Sequence, residues 1–274
     1  MSGDNVSSAD NQQGTLYYYF TGFIVGESSV SIIKATNKGT GQGFYFALDL
    51  TVSNADLILL KELNQVVACE KGIISPIKGG YNLSIRGKEK IKPALSFLNR
   101  FPPPAGDLFK EKLNILKKAL ELLSVKNYKI EEVEKLRQRL KDIKITAKAV
   151  KHFPVIFDVR SVGYFLSGIV DAEGSMGWRR SGNRQQPYFC VLMREEAIID
   201  LFIKQFGFGH KYYRPKEKLH HFETGKREDV AKLADYFLNK FPVKLAKNRQ
   251  RLENLQRILN DYMPSPAFGG EDIV

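Results

Sequence analysis

Cysteine is scarce in this chain, and the scarcity narrows its chemistry before any motif is read. The two cysteines, Cys69 and Cys190, stand in apolar stretches that read as buried strand or helix. They imply core thiols in a reducing compartment and no disulfide framework. The histidines, His152, His210, His220 and His221, offer neither a His-x-x-His pair nor a cysteine at zinc spacing, so zinc chemistry is not expected. Long apolar runs are missing too: the most apolar stretch, Leu16 to Gly26, falls far short of the roughly 20 residues of a membrane-spanning helix. No basic amphipathic segment with an aromatic face occurs either, and no membrane partner is expected. Residues 1–14 are polar, acidic and free of arginine, unlike a secretory signal or a transit peptide; with residues 263–274 they read as disordered tails.

What the chain has in excess is positive charge. Its 274 residues carry 42 Lys and Arg against 30 Asp and Glu, a net charge of +12, which favours a polyanionic partner. Hydrophobic residues make up 43%, enough for a packed core and too many for general disorder. The length suits one large domain or two of about 130 residues each, and composition does not choose between them.

An internal repeat does choose. Phe97-Leu98-Asn99-Arg100-Phe101-Pro102 returns almost letter for letter as Phe237-Leu238-Asn239-Lys240-Phe241-Pro242. Upstream, the segment from Tyr18 to Ser28 matches the segment from Tyr164 to Gly174, with Glu27 falling on Glu173. The two matches keep nearly the same register, as two copies of one module differing by a loop length do, and the chain reads as a tandem duplication.

Each copy reads in the same order. In the first, an apolar helix ending at Glu27 precedes strands Val30 to Lys34 and Phe44 to Leu50, separated by the Gly-rich turn Asn37 to Gly43. A helix capped by Asn54 runs to Val67, Gly72 to Arg86 forms a hairpin around Gly79-Gly80, and two helices, Lys88 to Asn99 and Leu108 to Leu123, flank Pro102-Pro103-Pro104. The second copy places strands around Met176 to Arg180 and Tyr188 to Met193, a helix from Glu195 to Phe206, strands His210 to Arg214 and Leu219 to Thr224, then helices Arg227 to Asn239 and Lys244 to Tyr262. The fold class is therefore α+β, with two pseudo-symmetric αββαββα lobes at 15–123 and 158–262. Residues 124–157 join them, and their polar helix around Ile130 to Arg137, with its thin apolar stripe, reads as a linker and not as a third core.

The repeated helix carries the chemistry. Gly22 and Gly26 are four apart, as are Gly168 and Ala172, so each helix offers a small-residue seam where another backbone can approach. Each ends on a glutamate, at the negative end of the helix dipole, where a carboxylate is disfavoured by about 0.3–1 kcal/mol. Bringing the two ends together would add repulsion unless a cation sat between them. A local rule broken identically in both copies marks a functional site. Two hard carboxylates suit Mg²⁺, which keeps waters to share with a phosphate.

The two segments resemble the LAGLIDADG motif of the homing endonucleases, in the double-motif, single-chain form, and with the element order the likeness extends from Leu16 to Tyr262. The resemblance implies a site-specific, metal-dependent double-strand DNA endonuclease of intron homing, acting as a monomer. It makes Glu27 and Glu173, at the eighth motif position, the metal-binding catalytic acids, helped by the backbone carbonyls of Gly26 and Ala172. Mg²⁺ is the expected cation, with Mn²⁺ or Ca²⁺ as substitutes. The resemblance also implies a basic catalytic residue after the proline-containing turn. Lys247 takes that place in the second copy, while in the first its counterpart is missing or displaced to Lys110. Val25 and Ser28 depart from the motif at its sixth and ninth positions, neither a required metal ligand. A polar residue at the end of the second strand is not evident, with Val52 and Met193 near those places.

In such a fold the antiparallel sheets form a saddle along the major groove, and a long, partly asymmetric double-stranded target is implied. Candidate DNA contacts are Lys34, Lys38, Arg86, Arg179, Arg180, Arg184, Lys211, Arg214, Lys216 and Lys218. Two alternatives share the fold: a splicing maturase, with intron RNA as partner, and a non-cleaving sequence-specific DNA-binding protein. The chain is expected inside the cell, in a mitochondrion or chloroplast if eukaryotic and otherwise in bacterial or archaeal cytoplasm.

Overall fold

The computed structural model describes residues 6–37, 39, 43–146, 157–181 and 184–262. Lys38 and the tail expected at 263–274 lie outside them. The motif stretches form α1 (Val6–Glu27) and α6 (Val159–Glu173), which pack side by side through the centre of the molecule. The small residues explain how close they come. A Cβ on Gly22 would collide with the Phe165 carbonyl, one on Gly168 with the Tyr19 carbonyl, and one on Gly26 with the Ala172 side chain. Tyr19, Phe20, Phe23, Phe165 and Leu166 are buried around the crossing. α1 begins at Val6, inside the stretch read from sequence as a tail.

The first lobe continues as β1 (Ser28–Thr36), β2 (Phe44–Asn54), α2 (Leu57–Ala68), β3 (Ile73–Ile77), β4 (Gly80–Arg86), α3 (Lys88–Arg100) and α4 (Asp107–Ser124). After α5 (Ile130–Thr146) and α6, the second runs β5 (Gly174–Ser181), β6 (Arg184–Met193), α7 (Glu196–Phe206), β7 (His210–Arg214), β8 (Leu219–Thr224), α8 (Arg227–Asp235), a π turn at Tyr236–Lys240 and α9 (Ala246–Tyr262). Both sheets are antiparallel, ordered β1-β2-β4-β3 and β5-β6-β8-β7. Among the described residues no helix is long and apolar enough to cross a membrane.

The registers of the two sheets correspond. Ser28 pairs with Val52 and Val52 with Leu83; Gly174 pairs with Val191 and Val191 with Phe222. Two residues further along, Asn54 therefore corresponds to Met193. In the first sheet Val30, Ile32, Leu48, Leu50, Val52, Leu83 and Ile85 are buried under the helices, so the alternate residues define an open side.

Several details differ from the sequence reading. The α2 cap is Asp56, whose side chain accepts from the Leu59 amide, because β2 runs on through Asn54. Cys69 is no core thiol: it is exposed, in the left-handed cap of α2, and Cys190 is half-buried on the open side of β6. The helix of the joining segment, α5, packs on the first lobe. Val133, Leu140 and Ile143 are buried, and Arg137 Nε donates to the Ile32 carbonyl at 3.2 Å.

Candidate active site and nucleic-acid interface

Glu27 and Glu173 are the last residues of α1 and α6, each directly after one of the small residues, Gly26 and Ala172, that abut at the seam. Burial raises the Glu27 pKa, tempered by a hydrogen bond that Asn54 Nδ2 donates to its Oε1 at 3.2 Å. Glu173 is pushed up to about 7, first by desolvation and then by the Glu27 anion. Glu173 is exposed at the rim of the seam and lines a groove open to water. The groove, about 420 Å³, is lined among others by Ser28, Lys112, Glu173, Met193, Arg194 and Glu195.

This donor set fits a hard divalent cation. Two carboxylates repel each other at the negative ends of two helices, and a cation between them would remove that cost. Among the described residues no group of three or more His, Cys, Asp or Glu is placed to hold a metal. The remaining ligands at the seam would be backbone carbonyls, water or substrate oxygens, the kind Mg²⁺ accepts.

Buried carboxylates tie the surrounding helices to the seam. Asp171 accepts from Tyr19 Oη at 2.7 Å, from the Lys244 and Leu245 amides, and from Asn248 Nδ2 at 3.0 Å. It thereby holds the start of α9 against α6. Lys247, in the first turn of α9, is exposed, next to Asn248. In the first lobe Val25 holds the place of Asp171 and cannot accept. Glu195, from the opposite lobe, accepts from the Leu108 and Phe109 amides at 2.9 and 3.1 Å and holds the start of α4 instead. Lys110 turns to Asp107, Nζ to Oδ1 3.7 Å. Lys112, one turn into α4, lines the groove with Glu173. Sequence reasoning missed Lys112, Asn54 and Glu195.

The candidate DNA contacts divide. Arg86, on the open side of the first sheet, bonds to Asp49 Oδ1 at 2.9 Å. Arg179 and Arg214 stand on the open side of the second, where Arg179 bonds to Glu223 and Arg214 meets Tyr212 Oη at 3.3 Å. Lys216 and Lys218 are exposed in the β7–β8 turn. Arg184 begins β6, and its side chain lies outside the described part. Three residues lie on the other side. Lys34 bonds to Glu134 of α5 at 2.8 Å and covers the Phe44 ring, Lys211 is held by Glu196 and Asp200 of α7, and Arg180 alternates with Arg179. Their helix-side positions follow from strand alternation, which places every second residue away from the open side.

Solved structures share this architecture. A LAGLIDADG homing endonuclease in complex with its DNA target, I-GzeII, matches with a TM-score of 0.71 at 17% identity over 90% of each chain. I-LtrWI bound to target DNA matches with a TM-score of 0.72 at 14% identity over 90% of each chain. The chain has the fold of the LAGLIDADG homing endonucleases. I-SmaMI bound to uncleaved DNA in the presence of calcium ions matches this fold too, with a TM-score of 0.69 at 16% identity over 91% of this chain and 99% of that one. No family model matches the sequence, and no curated protein matches it. The likeness to the LAGLIDADG structures thus lies in backbone architecture.

Proposed function

We propose that the chain is a site-specific double-strand DNA endonuclease that hydrolyses phosphodiester bonds, with a divalent cation held by Glu27 and Glu173. The observation that carries this reading is the pair of end-of-helix carboxylates brought together by a glycine-lined crossing, where Glu173 is pushed up to about 7 partly by Glu27. Like charges at two adjoining helix ends make sense around a cation. Bound there, Mg²⁺ would activate water and polarise a phosphate, and Mn²⁺ or Ca²⁺ could take the same oxygen ligands.

The chain's own groups do the rest. The carboxylates of Glu27 and Glu173 and the carbonyls of Gly26 and Ala172 hold the cation, and Asn54 orients Glu27 from the end of β2. Lys112 and Lys247 supply positive charge toward the two scissile phosphates, where charge develops in the transition state. The open sides of the two sheets carry the duplex, and the net charge of +12 draws it in. Because both carboxylates belong to one polypeptide, a monomer suffices. Intron homing is the setting the sequence resemblance implies. Incubating a randomised plasmid library with the protein and Mg²⁺, then sequencing the linear products, tests the reading: ends mapping to one recurrent site are expected, and a library left circular under all divalent cations would contradict it.

A further inference from the structure

The open sides of the two sheets differ in chemistry. In the first sheet the strand registers place Ser29, Ser31, Ile33 and Ala35 beside Tyr45, Ala47, Asp49, Thr51 and Ser53, then Asn82, Ser84 and Arg86, then Ile73, Ser75 and Ile77. Its one charged pair is internal: Asp49 accepts from Arg86, Ser84 and Thr51. Ile73 is 59% exposed and Ile77 45%, both on β3, the outer edge of the sheet. An exposed apolar edge strand is an aggregation hazard and gains nothing for the core, so fold stability does not account for these isoleucines. In the second sheet the corresponding side presents Arg179, Gln186, Tyr188, His210, Tyr212 and Arg214, with Arg179 paired to Glu223 and Arg214 to Glu217, both guanidinium groups still about half exposed.

We infer that the two halves of the target are recognised by different chemistry, Ile33, Ile73 and Ile77 of the first lobe meeting thymine methyl groups while Arg179 and Arg214 of the second lobe meet guanines. The inference rests on the proposed DNA-binding function and adds to it the base composition of each half-site. In the major groove a thymine is distinguished by its 5-methyl group, which apolar side chains contact, and a guanine by its paired acceptors, which arginine bridges. Isoleucine offers no hydrogen bond, so a half-site read by it is selected by methyl burial, worth roughly fourfold in affinity for each methyl group. Arginine at a guanine is worth about tenfold or more.

The test is selection of bound duplexes from a randomised pool, with the full chain, with Ile73→Ser/Ile77→Ser, and with Arg179→Ala/Arg214→Ala. All four side chains are solvent-facing, so the variants should fold, which circular dichroism checks. Expected is a site with thymines enriched in one half and guanines in the other, the isoleucine variant losing the thymines that face β3 while keeping the one that faces Ile33 on β1, and the arginine variant losing only the guanines. In the selected duplex, uracil for thymine in the first half should weaken binding by the same roughly fourfold per position, and the isoleucine variant should be indifferent to the exchange at the positions it no longer selects. A bound consensus without thymine enrichment, uracil substitution without effect, or an isoleucine variant that keeps the wild-type consensus each overturns the inference while leaving DNA binding intact. Failure to retain any duplex overturns the functional reading itself, and the inference with it.

Discussion

Asn54 donates to Glu27, while Met193 holds the matching place beside Glu173, so the two carboxylates are not equivalent. Asn54→Leu should raise the Glu27 pKa further and slow one strand by about tenfold, the worth of one hydrogen bond to a charged group; strand-resolved cleavage kinetics read this as nicked circles accumulating before linear product. Equal rates on both strands would remove Asn54 from the site. A second prediction concerns the lysines. Lys112→Met and Lys247→Met should each slow one strand by about 10²–10³, whereas Lys110→Met, losing only a partner of Asp107, should leave both rates within a small factor. The reverse order would assign the role to Lys110. The end-of-helix placement of Glu27 and Glu173 was legible in the sequence because a repeat displayed it twice. Asn54 was not, because an asparagine ending a strand and one capping a helix look alike until the strand's end is known. Lys112 was hidden because it stands a full turn deeper in α4 than Lys247 does in α9, so counting from Pro102 and Pro242 does not align them.

At the scale of elements, the crossing of α1 and α6 is polar on one side and apolar on the other. Tyr19 donates to Asp171, but their counterparts are Phe165 and Val25, which cannot cap a helix. Glu195 supplies that function to α4 from across the molecule. Glu195→Ala should therefore destabilise the protein by about 1–2 kcal/mol in urea denaturation, the usual cost of losing a helix cap. Val25→Asp in that background should recover part of it; a cap supplied from elsewhere would leave the first variant unaffected. Burial raises the Glu195 pKa, opposed by the Leu108 amide, Lys112 and the Phe109 amide. The folded chain thus holds this proton more tightly than the unfolded one, and the group's contribution is greatest below the ordinary carboxylate range and declines as pH rises through the folded value. Glu195→Gln, which keeps an acceptor, should accordingly lose ground to wild type least at about pH 8 and most at about pH 4. Element order and strand alternation were readable from hydrophobic period, and hairpins from Gly79-Gly80. Which side of a sheet meets a helix was not: Lys34 and Lys211 looked like groove contacts until α5 and α7 were seen to claim them.

For the whole molecule, the duplication explains why one chain carries a pseudo-symmetric saddle, and divergence between the copies explains why its halves differ. The repeated FLN and motif segments disclosed the duplication, since both copies need the same crossing; the capping exchange between lobes depends on contacts far apart in sequence and left no local signal. DNA affinity should fall steeply with salt, log K against log salt having a slope of about −0.9 for each phosphate neutralised. A flat response would count against a saddle that tracks the backbone. The central claim is that Glu27 and Glu173 together hold the metal that cuts both strands. Its most direct test is cleavage of the selected duplex by the Glu27→Gln/Glu173→Gln chain, with binding measured on the same preparation. The account predicts that Mg²⁺-dependent cutting of both strands disappears while affinity stays within a small factor of wild type; a double variant that still makes double-strand breaks, or wild-type cleavage that proceeds undiminished in EDTA, would contradict it.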